Sequence, residues 1–367
     1  MIKVALIANE PPPYRIPIFN RLAALSNFSL QVLFCCRREP NRHWNYPAFE
    51  FDHVFLREHI SEVNGRYIHN NPDVFGRLRE FSPDVVVTNG FNPTHLYAFS
   101  YAAVRKTGYV VMTDGTAKSE RRLSIVHRMI RRLVYARADA YVYASLGGKE
   151  LYADYNIAAD RCFQSHLCVN NDTFKATIGQ VPKRFDFIVS GRIDPIKNPF
   201  FALAVAKEVA GRLNRKVRIL FVGAGGLSDD LKRAAHLEAD LVEAHFHGFA
   251  KQEELPSLYQ SAWILLFPSL WDPWGVVANE ACASGVPVIV SPHAGAAGEL
   301  IIDKLNGFIC ELDVNLWAEH AVSLLTKPPL WQDFSQRSLS AAEAYNFDTA
   351  ASGLADACSY AAKRRSL

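Results

Sequence analysis

The chain has 367 residues, 49% of them hydrophobic and 21% charged, so it can bury a sizeable core and is not a disordered tail. At roughly 150 residues per domain, this length predicts two domains. The net charge of +3 is uneven, because residues 1–180 carry 22 Lys and Arg against 16 Asp and Glu, whereas residues 181–367 carry 18 against 21.

The apolar runs of the chain are short. None reaches the about 18 residues needed to cross a bilayer, which excludes a membrane-spanning helix. The N-terminal run stops at Glu10 and a proline run and lacks the cleavage site of a signal peptide, so we expect a cytoplasmic protein. No Cys-x-x-Cys pair occurs, which argues against a disulfide framework or a zinc ribbon. Buried, reduced thiols are expected at Cys35, Cys36, Cys162, Cys168, Cys282, Cys310 and Cys358.

Short runs of β-forming residues recur along the first half of the chain. They predict strands at 2–8, 30–35, 84–89, 109–114 and 140–145. Strands spaced in this way are typical of a Rossmann-like domain, which we place at residues 1–180.

The segment 118–137 predicts an amphipathic helix with a basic face. It holds seven Lys and Arg against one Glu, interleaved with apolar residues. One interpretation is a helix that lies on an anionic membrane. The alternative is a core-facing helix with solvated arginines. Nucleic acid is not expected as a partner, because no aromatic interleaving or recognition module accompanies the charge.

The second half alternates strands and helices more clearly. Strands are predicted at 185–190, 217–223, 242–248, 263–269 and 286–291. Helices are predicted at 199–212, 228–238, 252–261, 275–284 and 313–326. The pattern indicates a parallel sheet wrapped by helices at 181–344, separated from the first domain by the polar segment 179–183. Residues 345–367 read as a final helix. Ligands of such sheets bind beyond the carboxyl ends of the strands.

The first candidate site follows the strand at 185–190. The strand ends at Gly191, and the next loop offers Arg192 and Lys197 before the helix that Pro199 opens. A guanidinium, an ammonium and the amides of a helix N-terminus together suit a diphosphate. The alternative is an ordinary solvated basic loop.

The second candidate site is the segment 268–291. Asp272 precedes a Pro-Trp-Gly turn and Glu280 follows within a helix that should start near Gly275. The turn should leave the amides of Trp274, Gly275 and Val276 free for sugar or phosphate oxygens. The two carboxylates are too far apart along the helix to act as a glycosidase pair, and we interpret them as hydroxyl-binding groups, with an exposed helix acid as the alternative for Glu280.

Two other patterns are weaker. The glycines at Gly223, Gly225 and Gly226 lack the third position of a Gly-x-Gly-x-x-Gly fingerprint, so we predict a tight turn near a nucleotide and no NAD site. His245 and His247 alternate on a strand without a third ligand, and no metal site is predicted there.

The two candidate segments, in this order and roughly 80 residues apart, resemble the retaining glycosyltransferases of the GT-B fold, family four, also called glycosyl transferases group 1. That family has a Gly-Arg-x5-Lys-like segment followed by Glu-x7-Glu in a P-S-x-x-E-P-F-G-like context. Residues 137–157, 168–172 and 305–310 resemble other segments of the same family. The resemblance implies two Rossmann-like domains facing a central cleft, with the final helix crossing back to the first domain.

The resemblance also implies roles for individual residues. The diphosphate of the donor would be held by Arg192 and Lys197, the ribose by Glu280 and the sugar hydroxyls by Asp272. In the family, the loop matching 245–250 approaches the base, so Gly248 and Phe249 are expected to line the base pocket.

The sequence departs from the family pattern in three places. The first acid is Asp272 where the family has Glu. Asp114 stands where many members carry a catalytic-site His; we place it in the cleft, with a helix N-cap as the alternative. The usual Gly-Gly turn after the first strand is replaced by 9–15, in which prolines cannot donate amides. Either Tyr14 and Arg15 take over that role, or they face the acceptor.

The resulting expectation is a retaining glycosyltransferase that uses a UDP- or GDP-sugar and needs no metal or cofactor. Its acceptor would be a saccharide or a lipid-diphosphate-linked saccharide in surface polysaccharide synthesis, bound mainly by the first domain. It would lie in the cytoplasm or on the inner face of a membrane. The rival hypotheses are a nucleotide-sugar-binding module without turnover and a GT-B nucleotide-sugar epimerase.

Overall fold

The structure is a computed structural model that describes residues 1–40, 46–63, 66–121, 123–175 and 177–366. It divides into two compact units. Unit 1 comprises Met1–Leu167 and Phe347–Leu367, and unit 2 comprises Cys168–Asn346. The first boundary therefore lies earlier than the expected position near residue 180, and the chain returns to unit 1 close to the expected residue 345.

Both units are built from strands that alternate with helices. The strands are β1 (Ile2–Ala8), β2 (Phe28–Phe34), β3 (Asp52–Phe55), β4 (Ile60–Val63), β5 (Arg66–His69), β6 (Val85–Thr88), β7 (Gly108–Thr113), β8 (Ala140–Tyr143), β9 (Cys162–Gln164), β10 (Phe185–Ser190), β11 (Val217–Val222), β12 (Val242–Gly248), β13 (Ala262–Phe267), β14 (Val288–Val290) and β15 (Gly307–Ile309). The helices are α1 (Ile16–Ala23), α2 (Val74–Phe81), α3 (Pro93–Arg105), α4 (Ala117–Glu120), α5 (Ile125–Arg137), α6 (Leu146–Asp154), α7 (Asn171–Lys175), α8 (Pro199–Leu213), α9 (Ser228–Leu237), α10 (Leu255–Gln260), α11 (Val276–Ala283), α12 (Val314–Thr326), α13 (Pro328–Ala344) and α14 (Phe347–Ser366). Short 3₁₀ turns lie at Ala159–Arg161 and Pro195–Lys197.

Unit 1 contains a parallel sheet in the order β3-β2-β1-β6-β7-β8-β9. Its central strands are buried on both faces, which explains why β1 and β6 read as continuous apolar runs without alternation. A separate antiparallel hairpin joins β4 and β5.

Unit 2 contains a parallel sheet in the order β12-β11-β10-β13-β14-β15. Its largest core cluster packs apolar residues of α8 and α12, including Val205, Val209 and Trp317, against Phe187 and Phe221 of the sheet. The carboxyl ends of β10, β11 and β13 lie at one edge of the sheet, where the predicted site residues follow them.

Helix α14 belongs to unit 1 because its small residues allow close approach to the sheet. Ala350, Leu354 and Ala361 are fully buried. At Gly353, an added Cβ would lie 1.7 Å from the carbonyl oxygen of Gln164 in β9. Only glycine allows this contact between helix and strand.

The predicted α/β class with two Rossmann-like units is confirmed. All ten predicted strands have counterparts, as do the predicted helices of the second half. The sequence analysis missed β3, β9, β15 and the hairpin of β4 and β5, whose strands have three or four residues and are too short for a recognisable period. Within the described residues, no helix combines the length and apolar character that crossing a bilayer would require.

Candidate functional site

Three neighbouring strands of unit 2 end at glycines with positive φ. The φ angles are 128° at Gly191, 135° at Gly223 and 80° at Gly248. The amide of Gly191 donates to the carbonyl of Val222 at 2.9 Å, and that of Gly223 donates to the carbonyl of Gly248 at 2.7 Å. A Cβ on Gly223 would lie 1.9 Å from the carbonyl oxygen of Gly191. The strand ends therefore form a flat backbone edge without side chains, which we call the glycine edge.

The glycine-rich turn after β11 supports the loop that carries Arg192. Ile193 donates its amide to the carbonyl of Ala224 at 3.1 Å, and Leu227 donates to the carbonyl of Ile193 at 3.1 Å. A Cβ on Gly225 would lie 2.3 Å from that same Ile193 oxygen. The predicted tight turn is thus present.

Arg192 and Lys197 both lie on this loop but differ in exposure. The side chain of Arg192 is 74% exposed and pairs with Asp194, with 3.2 Å between Nη2 and Oδ2. The side chain of Lys197 is 20% exposed and pairs with Oδ2 of Asp272. Gly191, Arg192 and Lys197 line one pocket at the ends of β10 and β13. The structure therefore brings together the two cations and the first acid of the predicted site.

Asp272 is held from several directions. Its backbone amide donates to the carbonyl of His293 at 3.2 Å, and its carbonyl accepts the amide of Gly295 at 3.0 Å. Its Oδ1 accepts the amide of Trp274 at 3.1 Å. The expectation that the Trp274 amide is free was therefore wrong: the short side chain of Asp272 reaches its own turn and occupies that donor.

The rest of the Pro-Trp-Gly turn starts helix α11. The indole of Trp274 is buried and donates to Oδ1 of Asn279 at 2.6 Å. Gly275 is the N-cap with φ of 95°, and a Cβ there would lie 2.3 Å from the ring of Phe267. Among the described residues, no acceptor is bonded to the amides of Gly275 and Val276. These two donors remain available at the helix N-terminus, as predicted.

Glu280 lies on α11 and is only 6% exposed, so it is not an exposed helix acid. Its Oε2 accepts the phenol hydroxyl of Tyr259 at 2.6 Å. Burial raises the pKa of the Glu280 carboxyl to about 7, while the bond from Tyr259 lowers it. The carboxyl therefore changes its protonation near neutral pH.

Gly248 and Phe249 stand at the end of β12. The ring of Phe249 is 62% exposed directly beside the glycine edge. His245 faces Glu243, with 2.8 Å between Nε2 and Oε1. Across the described parts of the chain, no three His, Cys, Asp or Glu side chains converge in a way that could hold a metal ion.

In unit 1, Asp114 follows β7 and forms an ion pair with Arg15. Arg15 is 2% exposed and also donates from Nη1 to the carbonyl of Ser165 at 2.8 Å. Its amide donates to the carbonyl of Pro12 at 2.9 Å. Neither its side chain nor its amide is therefore offered to a ligand, which corrects both interpretations of Arg15. The side chain is drawn inward because Asp114 and Ser165 provide acceptors for a buried guanidinium.

Two further residues of this region behave differently from Arg15. Tyr14 is half-buried. Asp114 keeps a side-chain exposure of 38%, so one side of its carboxylate faces solvent. The N-cap of α4 is Thr116, which forms a capping box with Ser119, and the alternative role of Asp114 as that cap was wrong.

Sequence reasoning missed a buried polar cluster beyond the ends of β1 and β2. Nε2 of His95 lies 2.9 Å from Oδ1 of Asn9, and Nε2 of His69 lies 2.9 Å from Oε1 of Glu39. Burial, and to a smaller extent the nearby His69, lower the pKa of His95 to about 3. The available signal was the polar pair at residues 9 and 10 directly after a buried strand.

Comparison with known proteins follows the same division of the chain. Residues 170–340 match the family model for glycosyl transferases group 1. An uncharacterized glycosyltransferase of Methanocaldococcus jannaschii is 30% identical over 134 residues, which cover 36% of this chain and 34% of that protein. The chain spans about a third to a half of the length of the curated relatives it matches.

Solved structures match over nearly the full chain. Anabaena HepE in complex with UDP and glucose has a TM-score of 0.73 at 14% identity and covers 98% of this chain and 100% of its own. WaaG, a glycosyltransferase involved in lipopolysaccharide biosynthesis, has a TM-score of 0.65 at 16% identity and covers 96% of this chain and 98% of its own. At these identities the matches show the fold, which is GT-B.

Proposed function

We propose that the chain is a glycosyltransferase that moves a sugar from a UDP- or GDP-sugar to an acceptor hydroxyl with retention at the anomeric carbon. The match of residues 170–340 to the model for glycosyl transferases group 1 supports this proposal. The observation that carries this proposal is the loop after β10, where Arg192 and Lys197 line one pocket and Lys197 pairs with Asp272. The complexes of HepE with UDP and with glucose support a donor of this class.

The two cations are suited to the diphosphate of the donor. Arg192 is exposed and its contact with Asp194 is of the weak surface kind, so phosphate oxygens can replace it. Lys197 is paired with Asp272. When a diphosphate binds, the ammonium gains a stronger anionic partner, and the released carboxylate of Asp272 can accept a hydroxyl of the donor sugar.

The neighbouring groups fit the rest of the donor. The amides of Gly275 and Val276 stand at a helix N-terminus, where the peptide dipoles favour phosphate oxygens. We assign the ribose to Glu280 and the base to the glycine edge at Gly223 and Gly248. The exposed ring of Phe249 would cover the base.

Catalysis would then be chiefly electrostatic. Negative charge develops on the leaving diphosphate, and preorganised cations and amides stabilise it without a protein nucleophile. The reaction would take place on one face of the sugar, with the leaving phosphate accepting the proton of the attacking hydroxyl. Arg192 and Lys197 supply the positive charge that a divalent metal provides in other enzymes, and we propose that none is required.

We assign the acceptor to unit 1, with Asp114 and Tyr14 as candidate contacts. Arg15 would act through Asp114, by holding its carboxylate. The charge of the first half favours an anionic acceptor, such as a lipid-diphosphate-linked saccharide used in surface polysaccharide synthesis. The description of WaaG as a lipopolysaccharide enzyme supports this class of pathway.

Helix α5 supports a location on the cytoplasmic face of an anionic membrane. Val134 and Tyr135 are buried, so part of the apolar stripe faces the core as in the alternative interpretation. The remaining apolar side chains are exposed: Ile125 at 70%, Val126 at 63%, Met129 at 63% and Leu133 at 51%. Exposed apolar residues beside basic ones are typical of a helix lying in a membrane interface.

The membrane assignment can be tested by liposome flotation. Arg128 and Arg132 are exposed, whereas Arg131 pairs with Glu120 and Arg122 lies outside the described residues. Replacing Arg128 and Arg132 by Glu should reduce flotation with vesicles that contain phosphatidylglycerol. The control pair Lys232→Glu and Arg233→Glu, exposed on α9, should leave flotation unchanged. Equal flotation of all three proteins would contradict the assignment.

The catalytic assignment can be tested by release of UDP or GDP from nucleotide-sugars in the presence of saccharide acceptors. Arg192→Ala and Lys197→Ala should each lower turnover by at least about 100-fold, because each removes a charge that stabilises the leaving group. The matched control Lys207→Ala, on α8 and paired with Glu238, should retain activity. Turnover within threefold of wild type in both variants would contradict the assignment of Arg192 and Lys197 to the diphosphate.

The same assay separates the rival functions. A binding module would show affinity for the donor without nucleotide release. An epimerase would isomerise the donor sugar with no acceptor present. Acceptor-dependent release of the nucleoside diphosphate would exclude both.

A further inference from the structure

Tyr259 is a fully buried side chain that contacts the buried acid of the site. It lies on α10 and its hydroxyl donates to Oε2 of Glu280 at 2.6 Å. Its ring packs edge-on against Phe174 of α7, with 6.1 Å between ring centroids. The next residue, Gln260, donates to the carbonyl of Ser284 at the end of α11. Two hydrogen bonds, from Tyr259 and from Gln260, thus link α10 to α11 and hold the phenol in place.

The two oxygens of the Glu280 carboxyl have different surroundings. Oε2 is occupied by Tyr259. Oε1 has no hydrogen-bond partner among the described residues. It is nevertheless not among the side-chain oxygen and nitrogen atoms that are both fully buried and unpaired. It therefore keeps access to solvent within an otherwise buried side chain.

The phenol also contacts the loop of the candidate diphosphate site. The side chain of Ser190 is near enough to the phenol of Tyr259 to lower its pKa, against the larger effect of burial, which raises it. Ser190 is the last residue of β10 and directly precedes Gly191 and Arg192. The phenol thus lies near the start of the glycine edge while it bonds to the buried carboxyl.

We propose that Tyr259 is a positioning residue for donor binding, which holds one oxygen of Glu280 so that the other accepts a hydroxyl of the nucleoside diphosphate. The proposal rests on the proposed function of the same site. A carboxylate with one oxygen already bonded loses less rotational freedom when a ligand hydroxyl arrives.

The protonation of Glu280 makes this role measurable. Burial raises its pKa to about 7 and the bond from Tyr259 holds it lower than burial alone would. The other helices packed against α11 carry charged side chains that pair with one another: Lys175 with Glu343, and Arg337 with Asp333. Asp172 on α7 is exposed to solvent. Removing the hydroxyl of Tyr259 should therefore raise the pKa of Glu280 further.

The first experiment measures the affinity of the whole chain for UDP and GDP by calorimetry between pH 6 and pH 9. The carboxylate form accepts hydroxyls, so wild-type affinity should fall below about pH 7. In Tyr259→Phe, the pH below which the affinity falls should be higher by about one unit. The affinity near pH 9 should stay within about threefold of wild type. The control Tyr152→Phe, which removes a buried hydroxyl bonded to the carbonyl of Val142 in unit 1, should leave that pH unchanged. In Tyr259→Phe, an affinity that falls at the same pH as in wild type would overturn the proposal.

A second experiment needs no ligand. Carboxyl titration followed by infrared difference spectroscopy, with Glu280→Gln to identify the signal, should show the Glu280 transition at higher pH in Tyr259→Phe. An unchanged transition would overturn the proposal. If wild type binds neither nucleotide at any pH, the proposed function fails, while the titration still decides whether Tyr259 controls the carboxyl.

Discussion

At the scale of single residues, His95 couples the stability of unit 1 to pH. Its imidazole is fully buried, and its pKa falls from 6.5 to about 3 on folding. The unfolded chain therefore binds a proton below about pH 6.5 that the folded chain does not, and stability is lost as the pH falls through that range. At about 1.4 kcal/mol per pH unit, the loss between pH 6.5 and pH 5 is roughly 2 kcal/mol.

We expect His95→Gln, which keeps a donor toward Asn9, to remove this dependence. Urea unfolding at pH 7 and pH 5 should show a smaller loss for the variant than for wild type. His127→Gln, on the exposed surface of α5, serves as the control and should behave like wild type. Equal losses in all three proteins would contradict the assignment to His95.

Also at this scale, the glycine edge predicts which substitutions the site tolerates. Gly223→Ala would place a methyl group onto the carbonyl of Gly191 at a φ of 135°, whereas a Cβ on Gly226 meets no atom within 4 Å. We expect Gly223→Ala to weaken UDP or GDP binding at least about tenfold, since the loop of Arg192 must shift. Gly226→Ala should bind normally. Equal affinities in calorimetry would show that the edge is not part of the nucleotide site.

Sequence reasoning located the site residues better than it described their partners. Local spacing predicts that Lys197 and Asp272 follow strand ends, and both do. Their ion pair and the burial of Arg15 depend on residues distant in sequence, such as Ser165. A periodic pattern reports which face of an element is apolar, but it does not report which side chains meet across a loop.

At the scale of elements, the close packing of α14 against the sheet limits which residues the helix can contain. Gly353→Ala should destabilise unit 1 by about 1–3 kcal/mol or more, because the new methyl group overlaps the carbonyl of Gln164. Gly211→Ala on α8 has open space and should stabilise unit 2 by about 0.5–1 kcal/mol. Urea unfolding followed by hydrogen exchange in each unit measures both effects, and a Gly353→Ala variant as stable as wild type would exclude the close packing.

Strands could be predicted from the sequence where they were long and most of their residues were buried. The strands β1 and β11 have seven and six residues, most of them buried. By contrast, β4 has four mostly exposed residues and pairs only with β5, so its sequence carries no core-facing pattern. The domain boundary was placed too late because composition changes near residue 180, whereas backbone packing changes at Cys168.

At the scale of the whole molecule, the two units should respond to pH in opposite directions. Glu280 in unit 2 has a folded pKa of about 7 against 4.5 for the free group. Its contribution to stability is present below pH 4.5 and is lost as the pH rises toward 7, by up to about 3 kcal/mol. His95 in unit 1 has the opposite sign over the overlapping range.

Hydrogen exchange of the full chain between pH 5 and pH 6.5, corrected for the intrinsic exchange rate, should therefore show protection rising in unit 1 and falling in unit 2. The variants His95→Gln and Glu280→Gln should each flatten the slope of their own unit and leave the other unchanged. Slopes of the same sign in both units, unaffected by the variants, would refute this account.

Because unit 1 contains β1 and α14, its chain segments come from both ends of the sequence with unit 2 between them. A ribosome that releases the nascent polypeptide from its N-terminus exposes the first 167 residues early, whereas α14, which packs on β7, β8 and β9, emerges only after unit 2. During translation, unit 2 can thus complete its fold while the earlier-made unit still waits for its final helix. Chaperones that protect unfinished sheets would accordingly engage the N-terminal segment until α14 has been synthesised.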